Sequence, residues 1–280
     1  MHIGGMQGGH SGVDINKGRG SASELMARLL WNAPEEMGLR VANLDGGSVY
    51  NAIPSDATAL VVVSDAEAPA FEAMVATFGE TVQAELAATE PTLFVEVISA
   101  DMPATVMDRA TQQALLGAVY GSPQGVQRMS DSVEDLVETS DSMGILSFAG
   151  GAFDAGVYIR SAIDSERDDT ANRLTAVFEL AGAEVSTHDA YSSWPANPDS
   201  PILALMQTVY QDLFGVAPEV TAVHAGLETS VAGTKNPELD MISVGPTIVD
   251  VHSPQERLEV ASVEKAYDLI VATLEAMTKG

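Results

Sequence analysis

Three prolines in seven residues, at positions 195, 198 and 201 of Trp194-Pro195-Ala196-Asn197-Pro198-Asp199-Ser200-Pro201, divide this chain into two stretches of different pattern. Each proline fixes its own φ and removes a backbone donor, so neither a helix interior nor a sheet interior runs through such a segment. The segment predicts an ordered crossing and a domain boundary, with residues 1–190 before it and 191–280 after it. The 280-residue length is enough for one or two domains with a large buried core.

The first stretch alternates strands, helices and hairpins. A short strand-like segment, Met1 to Met6, comes first. Ser21 to Trp31 follows as an amphipathic helix, with Leu25, Leu29 and Leu30 at helical spacing. Strands are expected over Leu39–Leu44 and Thr58–Val63, a helix over Asp65–Leu86, a strand over Thr92–Ile98 and a helix over Met102–Val119. A strand pair, Met143–Phe148 and Ala155–Ala162, flanks Gly150-Gly151, and a helix over Asp164–Ala181 and a strand over Glu184–His188 follow. This order predicts a mainly antiparallel sheet covered by helices, an α+β layer. The second stretch reads as helix (Ile202–Phe214), strand (Val220–His224), strand (Asp240–Val244) and terminal helix (Val260–Met277), which suits a partial parallel α/β sheet. The fold class expected for the whole chain is therefore α/β.

Chemistry is constrained by composition. There is no cysteine, so disulfides and thiolate metal sites are excluded and any metal must sit on His, Asp or Glu. Forty Asp and Glu face 13 Lys and Arg, a net charge of −27, which would repel nucleic acid and anionic membranes. The same acidity serves solubility, or adaptation to high salt that screens self-repulsion. No apolar run approaches the ~20 residues that span a bilayer, and no signal-peptide core is visible. No Walker lysine, GxSxG or HExxH motif is present.

Five places carry candidate chemistry. His10, in Gly8-Gly9-His10-Ser11-Gly12, sits in a glycine-flanked loop where a substrate can approach the backbone. It is either a donor to charge developing on a carbonyl oxygen or a turn histidine. Asn51, in Gly46-Gly47-Ser48-Val49-Tyr50-Asn51, could bind a substrate oxygen or simply shape a turn. Glu228, in His224-Ala225-Gly226-Leu227-Glu228, could meet a cationic amine, support a metal ligand or be a solvated carboxylate. His252, in His252-Ser253-Pro254, is a metal-ligand candidate on a proline-stiffened loop, or a histidine without a role. His188-Asp189 reads as a strand end.

Taken together, GGHSGVDINKGRG (8–20), GGSVYNAIP (46–54), LVETSDSMG (136–144), IRSAIDSE (159–166), WPANPDSPI (194–202), HAGLETS (224–230) and DMISVGPTIVDVHSPQERLEVASVEK (240–265) resemble the aminoacyl-histidine dipeptidases, a branch of the dizinc exopeptidases. The resemblance implies an α/β catalytic domain holding two zinc ions and a lid, or dimerisation, domain. It implies that His10 helps stabilise the oxyanion, that Asn51 lies near substrate, and that Gly245, Pro246 and Thr247 line the substrate end of the pocket. Glu228 carries over only as a position near the active site. His252 matches the last metal ligand, and the family's other ligands and its glutamate base fall upstream of GGHSG. The chain is thus expected to comprise the lid (1–190) and the C-terminal part of the catalytic domain (191–280), to bind zinc weakly alone, and to be cytoplasmic and dimeric through the lid. The substrate implied is a dipeptide with a C-terminal histidine. Ser21, Gln124 and Gln255 depart from the family's usual residues without touching a proposed role. A lid-type binding module without catalysis, and another amidohydrolase such as an aminoacylase or carboxypeptidase, are the alternatives.

Overall fold

The computed structural model describes residues 1–190, 193–194, 197–224, 226–249 and 256–278. They form two compact units: Met1–Ala190 with Val223–Ala225, and Tyr191–Ala222 with Gly226–Gly280.

In the first unit, β1 (His2–Gly4) and β2 (Gly9–His10) precede α1 (Ala22–Trp31). Ser21 starts α1 because its hydroxyl accepts the Glu24 N–H, and Leu25, Met26, Leu29 and Leu30 recur on the face it buries. Each of these side chains contributes roughly 1.5–3 kcal/mol on burial. Strands β3 (Arg40–Ser48), β4 (Ala52–Ile53) and β5 (Ala57–Val62) come next, then α2 (Ala68–Glu85) and β6 (Phe94–Glu96). Helix α3 (Arg109–Gly121) begins later than the expected Met102, because Asp108 caps the Thr111 N–H at 3.0 Å and stops the helix from extending backward. β7 (Gly125–Met129), β8 (Val137–Ala149), β9 (Ala152–Ser161) and α4 (Asp164–Leu180) complete the unit.

The sheet runs β6-β1-β5-β3-β8-β7, with β9 also paired to β8, and every pairing in it is antiparallel. Thirteen-residue β8 organises it. On one side β8 pairs with β9 along nearly its whole length. On the other it pairs first with β7, through Val137–Asp141, and then with β3, through Ile145–Phe148. Gly150 and Gly151 both take positive φ, 60° and 83°, which gives the two-residue β8–β9 hairpin the twist its strands need. A single core joins Met26 and Leu30 of α1, Val75 of α2, Val119 of α3 and Phe178 of α4 to Val41, Leu44, Met143 and Leu146 of the sheet. In β3 and β5, buried Val41, Leu44, Ala57 and Ala59 alternate with exposed Asn43, Asp45 and Thr58, so one face carries the core and the other faces outward.

The second unit contains α5 (Pro201–Phe214), α6 (Glu228–Lys235), β10 (Ile248–Val249), β11 (Arg257–Leu258) and α7 (Val260–Met277). Ser200 and Pro201 start α5, and Gly215 ends it in the left-handed region. Helices α5 and α7 pack through Met206, Val209 and Leu269, and Lys265 reaches the Tyr210 hydroxyl at 2.6 Å. Asp240 accepts the Ile202 N–H at the start of α5, a bond that holds its carboxyl below the ordinary range.

Three expected strands do not form. Glu184–His188, Val220–His224 and Asp240–Val244 make no ladder, and the only strand pair of the second unit, among the described residues, is antiparallel β10–β11. The expected parallel sheet is therefore absent from the described residues. An apolar run of five residues becomes a strand only where another strand lies beside it, and among the described residues none pairs with these segments. Conversely, β7 and α6 were not legible in the sequence pattern. No helix among the described residues is long and apolar enough to cross a membrane.

Candidate active site in the first unit

His10 is placed by a loop that is tied to itself and to the core. β2 pairs with β4, so His10 stands opposite Ala52, and the Ser11 N–H donates to the Asn51 carbonyl at 2.8 Å. The contact that brings Asn51 to His10's loop thus runs through its main chain. Asp14 accepts the His10 N–H at 2.8 Å and the Lys17 ammonium at 2.6 Å, and pairs with Arg19 at 3.3 Å. Burial pushes the Asp14 carboxyl up, but Lys17, the His10 N–H and Arg19 together hold it below the ordinary range. Glu90, 2% exposed, accepts the Gln7 N–H at 2.7 Å and the Gly20 N–H at 3.1 Å. One buried carboxylate therefore clamps both ends of the glycine-rich loop.

The His10 ring has a defined tautomer. Its Nδ1 accepts the N–H groups of Gly12 and Val13, at 3.1 and 3.2 Å. A nitrogen that accepts carries no proton, so the neutral ring bears its hydrogen on Nε2. The site thereby holds an N–H donor oriented by two backbone bonds.

Arg160 and His224, neither given a role by sequence reasoning, meet His10 at Gly12. A Cβ built on Gly12 would lie 2.4 Å from the His224 carbonyl oxygen and 3.0 Å from both Arg160 Nε and His10 Cε1. Only glycine fits there. Arg160 lies opposite Ser140 across the β8–β9 ladder and stacks over Tyr158, 4.4 Å from the ring centroid. His224 is buried, with Nε2 2.7 Å from Ser140 Oγ. Burial, reinforced by the nearby Arg160 charge, pushes its pKa down to about 4, so the ring is neutral at pH 7. Asp141, the next residue of β8, is fully buried and pushed up to about 7 by burial, against the pull of its 2.9 Å bond from Gln127 and of Arg173.

The other candidates lie on other segments of the chain. Glu228 opens α6, where a carboxylate is favoured by the helix N-terminus. Gly245, Pro246 and Thr247 precede β10, and Thr247 donates its N–H to Ser262 Oγ at 2.8 Å. His188 contacts its neighbour Asp189 at 2.8 Å on the exposed surface. His252 lies outside the described residues. Among the described residues no three His, Asp or Glu side chains gather closely enough to hold a metal ion.

The profile of peptidase family M20/M25/M40 matches residues 8–276. The cytosol non-specific dipeptidase of Escherichia coli (strain K12) is 34% identical over 271 residues, covering 97% of this chain and 56% of that protein. Succinyl-diaminopimelate desuccinylase of Sulfurovum sp. (strain NBC37-1) is 20% identical over 122 residues, 44% of this chain and 33% of that protein. Among solved structures, aminoacylhistidine dipeptidase from Vibrio alginolyticus superposes with a TM-score of 0.91 at 36% identity, covering 98% of this chain and 56% of that one. The chain spans about half the length of these two dipeptidase relatives.

Proposed function

This chain belongs to peptidase family M20/M25/M40, and we propose that it carries the substrate-binding and oxyanion-stabilising part of a dipeptidase site. The observation that carries the reading is the convergence of the His10 ring and the Arg160 guanidinium on Gly12. A dipeptide offers two matching groups. Its C-terminal carboxylate suits a guanidinium, which can give it two parallel hydrogen bonds. Its scissile carbonyl gains negative charge as the tetrahedral intermediate forms, and His10 Nε2–H is a donor whose ring is oriented by the bonds from Gly12 and Val13 to Nδ1.

In this proposal the first unit is the lid, also the dimerisation surface, and the second is part of the catalytic domain. The family relationship and the implied dipeptidase chemistry call for a metal ion, which would supply an activated water when bound. We take it to be zinc, with His252 as a ligand; the described donors do not by themselves make a metal site. Asn51, Glu228, Gly245, Pro246 and Thr247 are proposed substrate contacts on resemblance. The relatives' names support dipeptides, with a C-terminal histidine favoured, and a cytoplasmic setting.

Binding of β-alanyl-histidine to the 280-residue chain, compared with its C-terminal amide, tests the reading. Losing one charge-assisted pair of ~1.5–3 kcal/mol weakens binding about ten- to hundredfold. The amide should therefore bind more weakly than the acid in the native chain, and Arg160→Ala should erase the difference. Equal binding of acid and amide to the native chain would refute the proposal.

A further inference from the structure

The loop that holds His10 has a wall made by another part of the chain. The ring of His224 enters the buried stretch of β8, where Ser140 Oγ meets its Nε2 at 2.7 Å. The main-chain carbonyl of the same residue stands against Gly12, at the place where any Cβ would collide with it. Gly12 in turn donates its N–H to His10 Nδ1. A continuous line of contacts therefore runs from Ser140 through His224 and Gly12 to the His10 ring. Ser140 is fully buried, so an apolar side chain in place of His224 would leave its hydroxyl unsatisfied.

We propose that His224 is a positioning residue for His10. Its ring, anchored on Ser140, sets its carbonyl against Gly12 and so fixes the orientation of the His10 imidazole. The catalytic meaning of this role rests on the reading of His10 as an oxyanion donor, whereas the geometry itself does not. The charged and titratable groups around the arrangement are Arg160 and His10.

The test is imidazole nitrogen NMR and amide exchange on the full 280-residue chain, with no metal or substrate added. In the native chain His10 should show the Nε2–H tautomer with Nδ1 as acceptor. In His224→Ala the His10 signals should move to a mixture of tautomers, and the Gly12 and Val13 amides should exchange about tenfold faster. Ser140→Ala should act in the same direction, and His224→Gln, which keeps a polar group for Ser140, should restore much of the native spectrum. Met143 and Leu146 amides should keep their protection in all three. An unchanged His10 tautomer in both alanine variants overturns the proposal, as does equal loss of protection at Met143 and Leu146, which would mark His224 as core filler only. If His224→Ala fails to fold, the other two variants decide. Because no turnover is measured, failure here leaves the dipeptidase reading standing, and failure of that reading leaves this result intact.

Discussion

Asp141→Asn should remove one large pH-dependent contribution to the stability of the first unit. The Asp141 side chain is fully buried, its Oδ1 accepts from Gln127 Nε2, and its Oδ2 has no hydrogen-bond partner among the described residues. Burial raises its pKa from 3.8 to about 7, with Glu24 adding to the rise and Gln127 and Arg173 opposing it. The folded state therefore keeps the proton to higher pH than the unfolded chain does. Stability from this residue is full below the unfolded value and is lost as pH rises through the folded one. At ~1.4 kcal/mol per tenfold change in proton affinity, the gap corresponds to roughly 4 kcal/mol. Asparagine mimics the protonated carboxyl in shape and cannot ionise. Urea unfolding followed by Trp31 fluorescence, in a Trp194→Phe background, isolates the first unit. Titration of the other carboxylates cancels in the difference between the two proteins. The stability of Asp141→Asn relative to the native residue should climb by about 4 kcal/mol from about pH 4 to about pH 8. A difference that stays constant across that range would refute the reasoning.

Glu90→Gln should loosen the His10 loop, because two backbone N–H groups lose an ionised acceptor; a destabilisation of about 2–4 kcal/mol is expected, with faster exchange at Gln7 and Gly20. His2 bridges Asp56 at 2.6 Å and Glu96 at 3.2 Å, and the Asp56 bond chiefly raises its pKa. The stabilisation it gives β1 should be present below its ordinary value of 6.5 and fade as pH rises through the raised one, a trend that His2→Gln should abolish in thermal melts.

Much of the fold was legible from local signals. Ser21, Asp108 and Ser200 cap helices whose apolar spacing had already marked them, and Gly150-Gly151 turns the hairpin expected around it. Pairing was less legible. Val220–His224 has the composition of a strand, yet its last residue is held by a side chain on β8 rather than by a ladder. β7, Gly-Val-Gln-Arg-Met, is short and half polar, and exists because β8 offers it an edge. His10 and its loop stood out because glycine and histidine are conspicuous together. Arg160, Ser140 and Glu90 did not, although the first two lie within the family-like segments. Their partners are distant in sequence, 84 residues in the case of Ser140 and His224, and no spacing rule connects them.

The composition of β8 shows how the site is set into the fold. From Ile145 to Phe148 the strand pairs with β3 and supplies core side chains. From Val137 to Asp141 it pairs with β7, and five polar residues in succession, Glu138 to Ser142, are buried along this stretch. Apolar residues would be the more stable choice in such a position, because a buried polar group gains little when bonded and costs about 1–3 kcal/mol when not. Most of these side chains are engaged: Glu138 with Arg128, Thr139 with Ser161, Ser140 with His224 and Asp141 with Gln127. The irregularity between Met143 and Ile145 separates the two halves. The strand's apolar half therefore fixes its place in the sheet, which leaves the polar half free to present a specific hydroxyl, Ser140, to the residue that seats the His10 loop. Removing polarity from the second half should raise stability only where the partner is removed with it, as in a paired Ser140→Ala, His224→Leu exchange. Such an exchange would keep the unit folded while releasing the His10 ring.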